Sequence, residues 1–249
     1  MKQRIPSLCA FLAAISFILI LLISSIDFNC FQHSFYEREY AAMNTAQDLH
    51  MSHDDLMKAT ETLLDYLQDK RADIKAEITV SGWVREAFNE REILHMVDVK
   101  NLYQFALTLR ITAIGCLAVS LVVLWRQKKQ DMFMMLAAAY GKCAIGFLCF
   151  VAMMGIWAFC DFTGLWESFH RLFFRNDLWL LNPRTDLMIN MFPEDFFFHM
   201  VIRIAVMFLI GFGGMAVWSG FYWKRRLSIA AQKEAYDEGD HSGESKSAA

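Results

Sequence analysis

The chain has 249 residues, of which 56% are hydrophobic, and it carries a formal net charge of -3 at pH 7 with a mean hydropathy of +0.28. This composition is too apolar for an ordinary soluble domain, and the formal net charge adds nothing sharp to that conclusion. The sequence therefore predicts an integral membrane protein with no nucleic-acid partner.

Four segments contain about 20 predominantly apolar residues, which is the length that a helix needs to cross a bilayer. These segments are 5–26, 103–125, 143–160 and 200–223. The first follows a short basic start at 1–4 and shows no small-residue cleavage pattern, so we interpret it as an uncleaved anchor rather than a signal peptide. The pattern predicts four transmembrane helices.

Lysine and arginine in the short segments beside the spans indicate the orientation of the chain. They concentrate in 1–4, in 126–142 and at the start of 224–249, which all lie on one side of the membrane. The positive-inside rule places that side in the cytoplasm, so 27–102 and 161–199 are expected outside. The tail at 224–249 is rich in Glu, Asp, Ser, Gly and Ala, a composition that is typical of disorder.

The outer segment 27–102 contains two helical patterns. Ser52 begins a capping-box pattern followed by leucines at helical spacing, which predicts an amphipathic helix over 52–69. A second periodicity starts near Val84 and runs into the second span, so we expect that span to extend outward as one helix. No strand alternation is long enough to indicate a sheet. The predicted fold class is therefore all-α integral membrane, with four spans and a mainly helical extracytoplasmic cap formed by the first and third loops.

The outer segment 161–199 is crowded with aromatic residues. Such a stretch is favoured at the level of the lipid headgroups, so one interpretation is an interfacial aromatic belt. The alternative is a pocket that admits acyl chains, since aromatic walls with a few polar groups suit a lipid site. Under that alternative, the lipid-binding residues are Trp179, Phe173, Phe174, Phe192, Phe196 and Phe197.

Candidate acid–base chemistry lies with two histidines in separate outer segments. Glu92, His95 and Asp98 fall at i, i+3 and i+6, so both carboxylates come within reach of the imidazole and favour its charged form. They would keep the pKa of His95 near or above neutrality, although an ordinary solvated helix face carries such a triplet too. His170 lies in the other outer segment, close to the same membrane surface. A base and an acid of this kind suffice for ester aminolysis or transesterification.

Two arginines lie in the outer turns of predicted spans. An ionisable side chain in a span indicates function by default, unless it snorkels to the headgroups. We expect Arg110 and Arg203 to contact an anionic or ester oxygen of a ligand.

Other familiar catalytic and metal patterns are absent or incomplete. The sequence contains no GxSxG elbow, no HExxH motif and no phosphate-binding glycine loop. His50 and His53 could share a helix face as metal ligands, but no third ligand is placed by spacing, so no metal site is predicted. Cys30 and Cys160 lie near the outer interface, where two unpaired thiols are favoured over a disulfide.

Two stretches resemble motifs of the lipoprotein intramolecular transacylases, a family of bacterial membrane enzymes. The first is REILHMVDVKNL at 91–102. The second combines HRLFF at 170–174, NDLWLLNPRTD at 176–186 and FPEDFF at 192–197. The two motifs occur in order beside the expected spans, and the resemblance covers nearly the whole chain apart from its acidic tail.

The resemblance implies an acyltransferase of the bacterial plasma membrane that acts at the extracytoplasmic face without a cofactor. Its substrate would be a diacylated lipoprotein whose sn-2 acyl chain moves to the α-amino group of the N-terminal cysteine. The family's catalytic histidines correspond to His95 and His170. Residues expected to orient them or to support an oxyanion are Glu92, Asp98, Asn176, Asp186, Glu194, Arg203 and Arg110.

Such a reaction needs no enzyme nucleophile, because the amine and the ester belong to one substrate and a bent pose gives them a high effective concentration. Two other classes remain open. One is a non-catalytic membrane scaffold or regulator, and the other is a metal-dependent lipid or peptide hydrolase that uses His95, His170, Asp98 or Glu194 as ligands. The client lipoproteins and the oligomeric state are not predicted.

Overall fold

The structure is a computed structural model that describes residues 4–247. Its elements in chain order are α1 (Arg4–Cys30), α2 (His33–Met43), α3 (Thr45–Asp48), α4 (His53–Leu67), β1 (Glu77–Val80), β2 (Trp83–Glu86), α5 (Glu90–Lys128), α6 (Met132–Cys160), α7 (Phe162–Phe173), α8 (Leu187–Met191) and α9 (Glu194–Ser247). Helices dominate, as the apolar periodicity predicts.

Four helices are long and apolar enough to cross a membrane, which confirms the number of predicted spans by length and composition. They are Arg4–Cys30, Glu90–Lys128, Met132–Cys160 and the part Glu194–Arg226 of α9. The third helix begins earlier than the predicted start at 143, because residues 132–139 consist of Met, Leu, Ala and one Phe, and Met, Leu and Ala favour helix. Only 129–131 therefore separate α5 from α6 among the residues described.

The tail that was predicted to be disordered is helical as far as the structure describes it, since α9 continues to Ser247. The run from Ala230 to Ala235 contains Gln, Lys and Glu, which are strong helix formers, so composition alone misjudged this part of the tail. The final two residues lie outside the described residues.

The chain divides into two compact units, of which the first comprises the residues up to Leu21, Thr112–Val151 and the residues from Leu209. Within it, the buried Tyr140 donates its hydroxyl to the carbonyl of Phe212 at 2.7 Å. Ser219 likewise donates to a carbonyl of α6 at 2.6 Å. Hydroxyl-to-carbonyl bonds of this kind satisfy polar groups where water is absent, as helix packing in a membrane requires.

The second unit comprises Leu22–Ile111 and Ala152–Phe208, and it contains the larger core. Aromatic rings from α2 and α9 meet in this core, where Phe35, Tyr36 and Tyr40 surround Phe196. The hydroxyl of Tyr40 is satisfied by Thr60 of α4 at 2.7 Å. The prediction for α4 is confirmed, because its N-cap Ser52 accepts from the backbone N–H of Asp55 at 3.0 Å.

The helix expected from Val84 onward is wrong over its first residues, because Val84 lies in β2. β1 and β2 pair antiparallel, with Val80 opposite Trp83. Ser81 and Gly82 form the turn and both have positive φ, at 52° and 83°. Two such residues in sequence are what a tight two-residue hairpin turn demands. Strands of four residues are too short for alternation to reveal them.

Candidate active site

α5 brings His95 into the second unit on the stretch that precedes the apolar span 103–125. Its N-terminus is fixed by a capping box. Asn89 accepts the backbone N–H of Glu92 at 3.1 Å, and Glu92 accepts the backbone N–H of Asn89 at 2.8 Å. This reciprocal cap sets the helix to begin at Glu90, and it therefore determines which face of α5 presents His95.

α7 supplies the second histidine. Asp161 caps its N-terminus by accepting the backbone N–H of Gly164 at 2.8 Å. One turn from its end lies His170, and the rings of His95 and His170 are tilted by 34° with centroids 6.0 Å apart. Each histidine is only 7% exposed. The structure thus brings together two imidazoles from segments that are distant in the sequence.

The tautomer of neutral His170 follows from its one hydrogen bond. Its Nδ1 lies 2.8 Å from the carbonyl oxygen of Trp166, one helical turn earlier. A carbonyl oxygen can only accept, so Nδ1 carries the hydrogen and Nε2 keeps a lone pair. The ring is further held by Trp179, which stacks on it at 5.0 Å, and by Trp166, which meets it edge-on at 4.8 Å.

His95 is held by packing rather than by hydrogen bonds. Its ring meets Phe174 edge-on at 5.4 Å, and its buried Nδ1 has no hydrogen-bond partner among the described residues. The pKa of His95 is lowered to about 4, mainly by burial. The neighbouring charges of His170 and Arg91 lower this pKa further, whereas Asp98 raises it. Burial also lowers the pKa of His170, against the hydrogen bond to Trp166.

Two expectations about His95 are therefore wrong. Its pKa is lowered rather than kept near or above neutrality, because desolvation outweighs the nearby carboxylate. Glu92 does not orient the ring: it is 0% exposed and accepts the backbone N–H of Met188 in α8 at 2.6 Å, besides capping α5. Burial raises the pKa of Glu92 against these backbone hydrogen bonds.

A loop segment that we call the strap, residues 174–181, crosses the face of α5 that carries His95. Asn176 donates to the carboxylate of Asp98 at 2.8 Å. Next to it, the backbone carbonyl of Asp177 accepts from Nη2 of Arg91. Trp179 donates its indole N–H to the carbonyl of Asn176 at 2.9 Å. Asp98 and Asn176 thus position the strap, and through it the ring that stacks on His170.

The remaining predicted polar residues are engaged elsewhere. Asp186 accepts the backbone N–H of Asn182 at 2.7 Å and the side-chain amide of Asn89 at 2.9 Å, so it supports the start of α5. Glu194 accepts the hydroxyl of Thr163 at 2.8 Å. No group of three side chains able to hold a metal ion occurs among the described residues.

The two arginines of the predicted spans are bonded within the protein. Arg110 pairs with Asp27 at 2.7 Å. The guanidinium of Arg203 lies 4.7 Å from the ring centroid of Phe35 and donates to Gln32. Both guanidinium groups already contact side chains around the end of α1. The structure therefore does not show them free for the ligand contacts that were expected. Cys30 and Cys160 are free thiols.

The six predicted lipid-binding aromatics separate into two groups. Phe196 is 1% exposed and belongs to the core, where Phe192 packs against it at 5.2 Å, so these two cannot form an open wall. Phe174 and Trp179 line the histidine pair. Phe173 is exposed beside them, and Phe197 packs on Trp166 at 4.3 Å.

Sequence reasoning missed three contributors to this site, namely Asn89, Trp166 and Arg91. A signal for Asn89 was present, since Asn followed three residues later by Glu is a helix-start pattern. Trp166 could be inferred from its position one turn before His170. The only sequence signal for Arg91 was its spacing, which places it on the same helix face as His95 and Asp98.

A helical membrane fold with two facing, buried histidines defines a class of membrane protein equipped for acid–base chemistry. The model of the family described as lipoprotein intramolecular transacylase Lit matches residues 11–197. The chain therefore belongs to the lipoprotein intramolecular transacylase family. A search of curated proteins found no match.

Solved structures agree on the fold. Lit from Bacillus cereus is 18% identical with a TM-score of 0.63, over 92% of this chain and 98% of that one. A variant of that protein with one histidine replaced by alanine is 18% identical with a TM-score of 0.66, over 90% and 96%. A variant of the same protein with that histidine replaced by arginine is 20% identical with a TM-score of 0.62, over 92% of this chain and 95% of that one.

Proposed function

We propose that this protein moves the sn-2 acyl chain of an N-terminal S-diacylglyceryl-cysteine to the α-amino group of the same cysteine. The observation that carries the proposal is the pair of buried imidazoles whose centroids lie 6.0 Å apart. Family membership supplies the lipoprotein substrate and the intramolecular transfer as the expected class of reaction. The product is a lipoprotein with one acyl chain on nitrogen and one on glycerol.

The transfer forms one bond and breaks one. The amine nitrogen attacks the ester carbonyl carbon, a C–N bond forms, and the C–O bond to glycerol breaks. A proton leaves the amine and a proton reaches the departing glycerol oxygen. Both reacting groups belong to one substrate, so a bent pose replaces an encounter between two molecules, and no acyl-enzyme is needed.

His170 is the base in this proposal. Its Nδ1–H is committed to the carbonyl of Trp166, so the lone pair of Nε2 is the one available to accept the amine proton. The imidazolium that forms keeps the hydrogen bond to Trp166 and gains attraction from the stacked ring of Trp179. Both contacts favour the charged ring at the moment when the amine becomes nucleophilic.

His95 is the acid. Its ring is neutral at physiological pH because burial lowers its pKa, so it can accept the proton that His170 has taken from the amine. It then donates that proton to the departing glycerol oxygen, and both rings end neutral. The exposed Phe173 and the ring of Phe174 extend the site with the apolar surface that an acyl chain requires.

The site lies on outer segments by the positive-inside rule, which matches the side of the bacterial plasma membrane where mature lipoproteins are anchored. The substrate is thus a membrane lipid conjugate that reaches the histidines from the outer leaflet.

Mass spectrometry of a diacylglyceryl lipopeptide incubated with pure protein in micelles tests the proposal. Total mass does not change in an intramolecular transfer, so fragment ions must locate the acyl chain. We expect N-acylation by the natural chain and a loss of roughly 10²-fold to 10⁴-fold for His95→Ala or His170→Ala. His53→Ala, at an exposed position on α4, is the matched control. Unchanged transfer in both variants would refute the acid–base roles.

A further inference from the structure

Two buried side-chain nitrogens in the described part of the chain have no hydrogen-bond partner, and they lie one helical turn apart. They are Nε of Arg91 and Nδ1 of His95. Buried polar atoms are nearly always paired, so each exception requires an explanation. Positions 91 and 95 share one face of α5, so both unpaired atoms belong to the surface that faces His170 and the strap.

The guanidinium of Arg91 already holds a carbonyl oxygen in this structure. Its Nη2 donates to the backbone carbonyl of Asp177, and the carboxylate of Asp177 lies further away at 3.7 Å. Arg91 and Asp177 are 38% and 79% exposed, and an ion pair between groups this exposed contributes little stability. A competing oxygen can therefore replace Asp177 at small cost.

The other polar groups on this face are fully engaged. Asp98 is bonded to Asn176, and Glu92 caps α5 and binds Met188. Arg110 and Arg203 are bonded to other parts of the protein. Arg91 is a cation one helical turn from His95 that keeps an unused donor.

We propose that Arg91 is a catalytic residue that binds the sn-2 ester carbonyl and stabilises the oxyanion formed when the amine attacks it. This inference rests on the proposed acyl transfer. As the C–N bond forms, the carbonyl oxygen gains negative charge, and the N–H groups of Arg91 donate hydrogen bonds to it without losing a proton. When the C–O bond to glycerol breaks, the electron pair on that oxygen re-forms the C=O bond of the new amide, and the departing glycerol oxygen takes the bonding pair and is protonated.

In the absence of substrate, the backbone carbonyl of Asp177 then takes the place of the substrate carbonyl as the acceptor for Arg91. One carbonyl oxygen, that of the strap, is exchanged for another, that of the substrate. Because the second attachment of the strap, between Asn176 and Asp98, does not involve Arg91, the strap can be displaced at Asp177 and still remain tethered to α5. Nε, which is covered in the resting state, becomes available when Asp177 leaves.

Steady-state kinetics of Arg91→Gln and Arg91→Lys provide the first test. We expect Arg91→Gln to lower kcat by roughly 10²-fold to 10³-fold, with a smaller effect on KM, as for the loss of one oxyanion donor. Arg91→Lys keeps the charge without the planar pair of donors and should recover only part of the loss. The control is Arg175→Gln, which removes the same charge from an exposed position in the strap. An effect on KM alone would overturn the proposal.

Binding of two inert lipopeptides separates this role from a structural one. In the first the sn-2 ester is replaced by an anionic phosphonate, which resembles the tetrahedral intermediate, and in the second by an ether. Arg91→Gln should weaken binding of the phosphonate by at least tenfold and leave the ether unchanged. Equal losses for both ligands would show that Arg91 only holds the strap. Absence of acyl transfer by the unmodified protein would instead contradict the proposed function itself.

Discussion

The two histidines of the site are restrained by different forces. His170 is fixed by a hydrogen bond from Nδ1 and by stacking, whereas His95 is enclosed by apolar contacts and retains an unpaired nitrogen. A fixed ring presents one nitrogen to a substrate, and an unfixed ring can exchange tautomers. In the proposed function, this difference favours His170 for the proton-accepting step and allows His95 to donate from either nitrogen.

Titration of the imidazole rings by NMR tests the effect of burial on His95. A lowered pKa means that the neutral form persists below the ordinary value of about 6.5, so its ring signals should stay unshifted as the pH falls to about 5.5. They should then move with a midpoint at about 4. The signals are assigned by their loss in His95→Gln. A midpoint above 6.5 would mean that Asp98 dominates over desolvation.

Trp179 positions His170 through the strap. Trp179→Leu removes both the stacked ring and the indole N–H donor, so we expect kcat to fall between about tenfold and 100-fold because the base loses its orientation. Trp179→Phe keeps a stacking ring and should lose less. The control is Trp83→Leu, since Trp83 is 79% exposed on the hairpin. If KM rises without any change in kcat, Trp179 binds lipid instead, as the aromatic composition first indicated.

At the scale of elements, Glu92 joins the start of α5 to the start of α8. Replacing this carboxylate by alanine leaves the buried backbone N–H of Met188 without its acceptor, which costs about 1 to 3 kcal/mol. We expect Glu92→Ala to lower the thermal unfolding temperature in micelles, and Glu92→Gln to lower it less because one acceptor oxygen remains.

Glu90→Gln is the matched control for that experiment, because Glu90 lies in the same helical turn and is exposed. It should leave the unfolding temperature nearly unchanged. Equal shifts for Glu90→Gln and Glu92→Ala would show that the charge of the first turn, rather than the buried hydrogen bonds, stabilises the element.

The sequence predicted which segments form long helices, but it did not predict where each helix begins and ends. Apolar periodicity identified four spans and α4, because the membrane and a buried face each impose a long-range pattern. The hairpin escaped prediction because four-residue strands carry no periodicity and only the Ser81-Gly82 turn marks them. The start of α5 depends on Asn89 and Glu92, whose spacing is a helix-start pattern that the interpretation based on apolar periodicity from Val84 onward did not use.

The approach of the two histidines was predictable from the sequence, whereas the electrostatics around them were not. His95 and His170 follow from their motifs, and their approach follows from their placement on outer segments. The sign of the pKa shift at His95 could not follow from residue spacing, since it depends on how deeply the ring is buried. For the same reason Phe192 and Phe196 resemble a lipid wall in sequence, but Phe196 lies in the core and the partly buried Phe192 packs against it.

At the scale of the whole molecule, the proposed function requires the histidines to face the extracytoplasmic side. Reporter fusions test this topology. Alkaline phosphatase joined after residue 70 should be active, because that position lies in a predicted outer segment, whereas the same enzyme joined after residue 129 should be inactive. Green fluorescent protein at the C-terminus should fluoresce, since it folds in the cytoplasm. The opposite pattern would place the active site on the wrong side for mature lipoproteins.

The stacking of an indole on an imidazole also makes the site optically observable. The chain has seven tryptophans, but only Trp166 and Trp179 are in ring contact with His170 among the described residues. A protonated imidazole quenches the emission of an adjacent indole far more than a neutral one does. Trp179→Phe would isolate that contribution, so intrinsic fluorescence can report ligand binding beside the stacked rings and the charge on His170 in real time, with unlabelled lipopeptide.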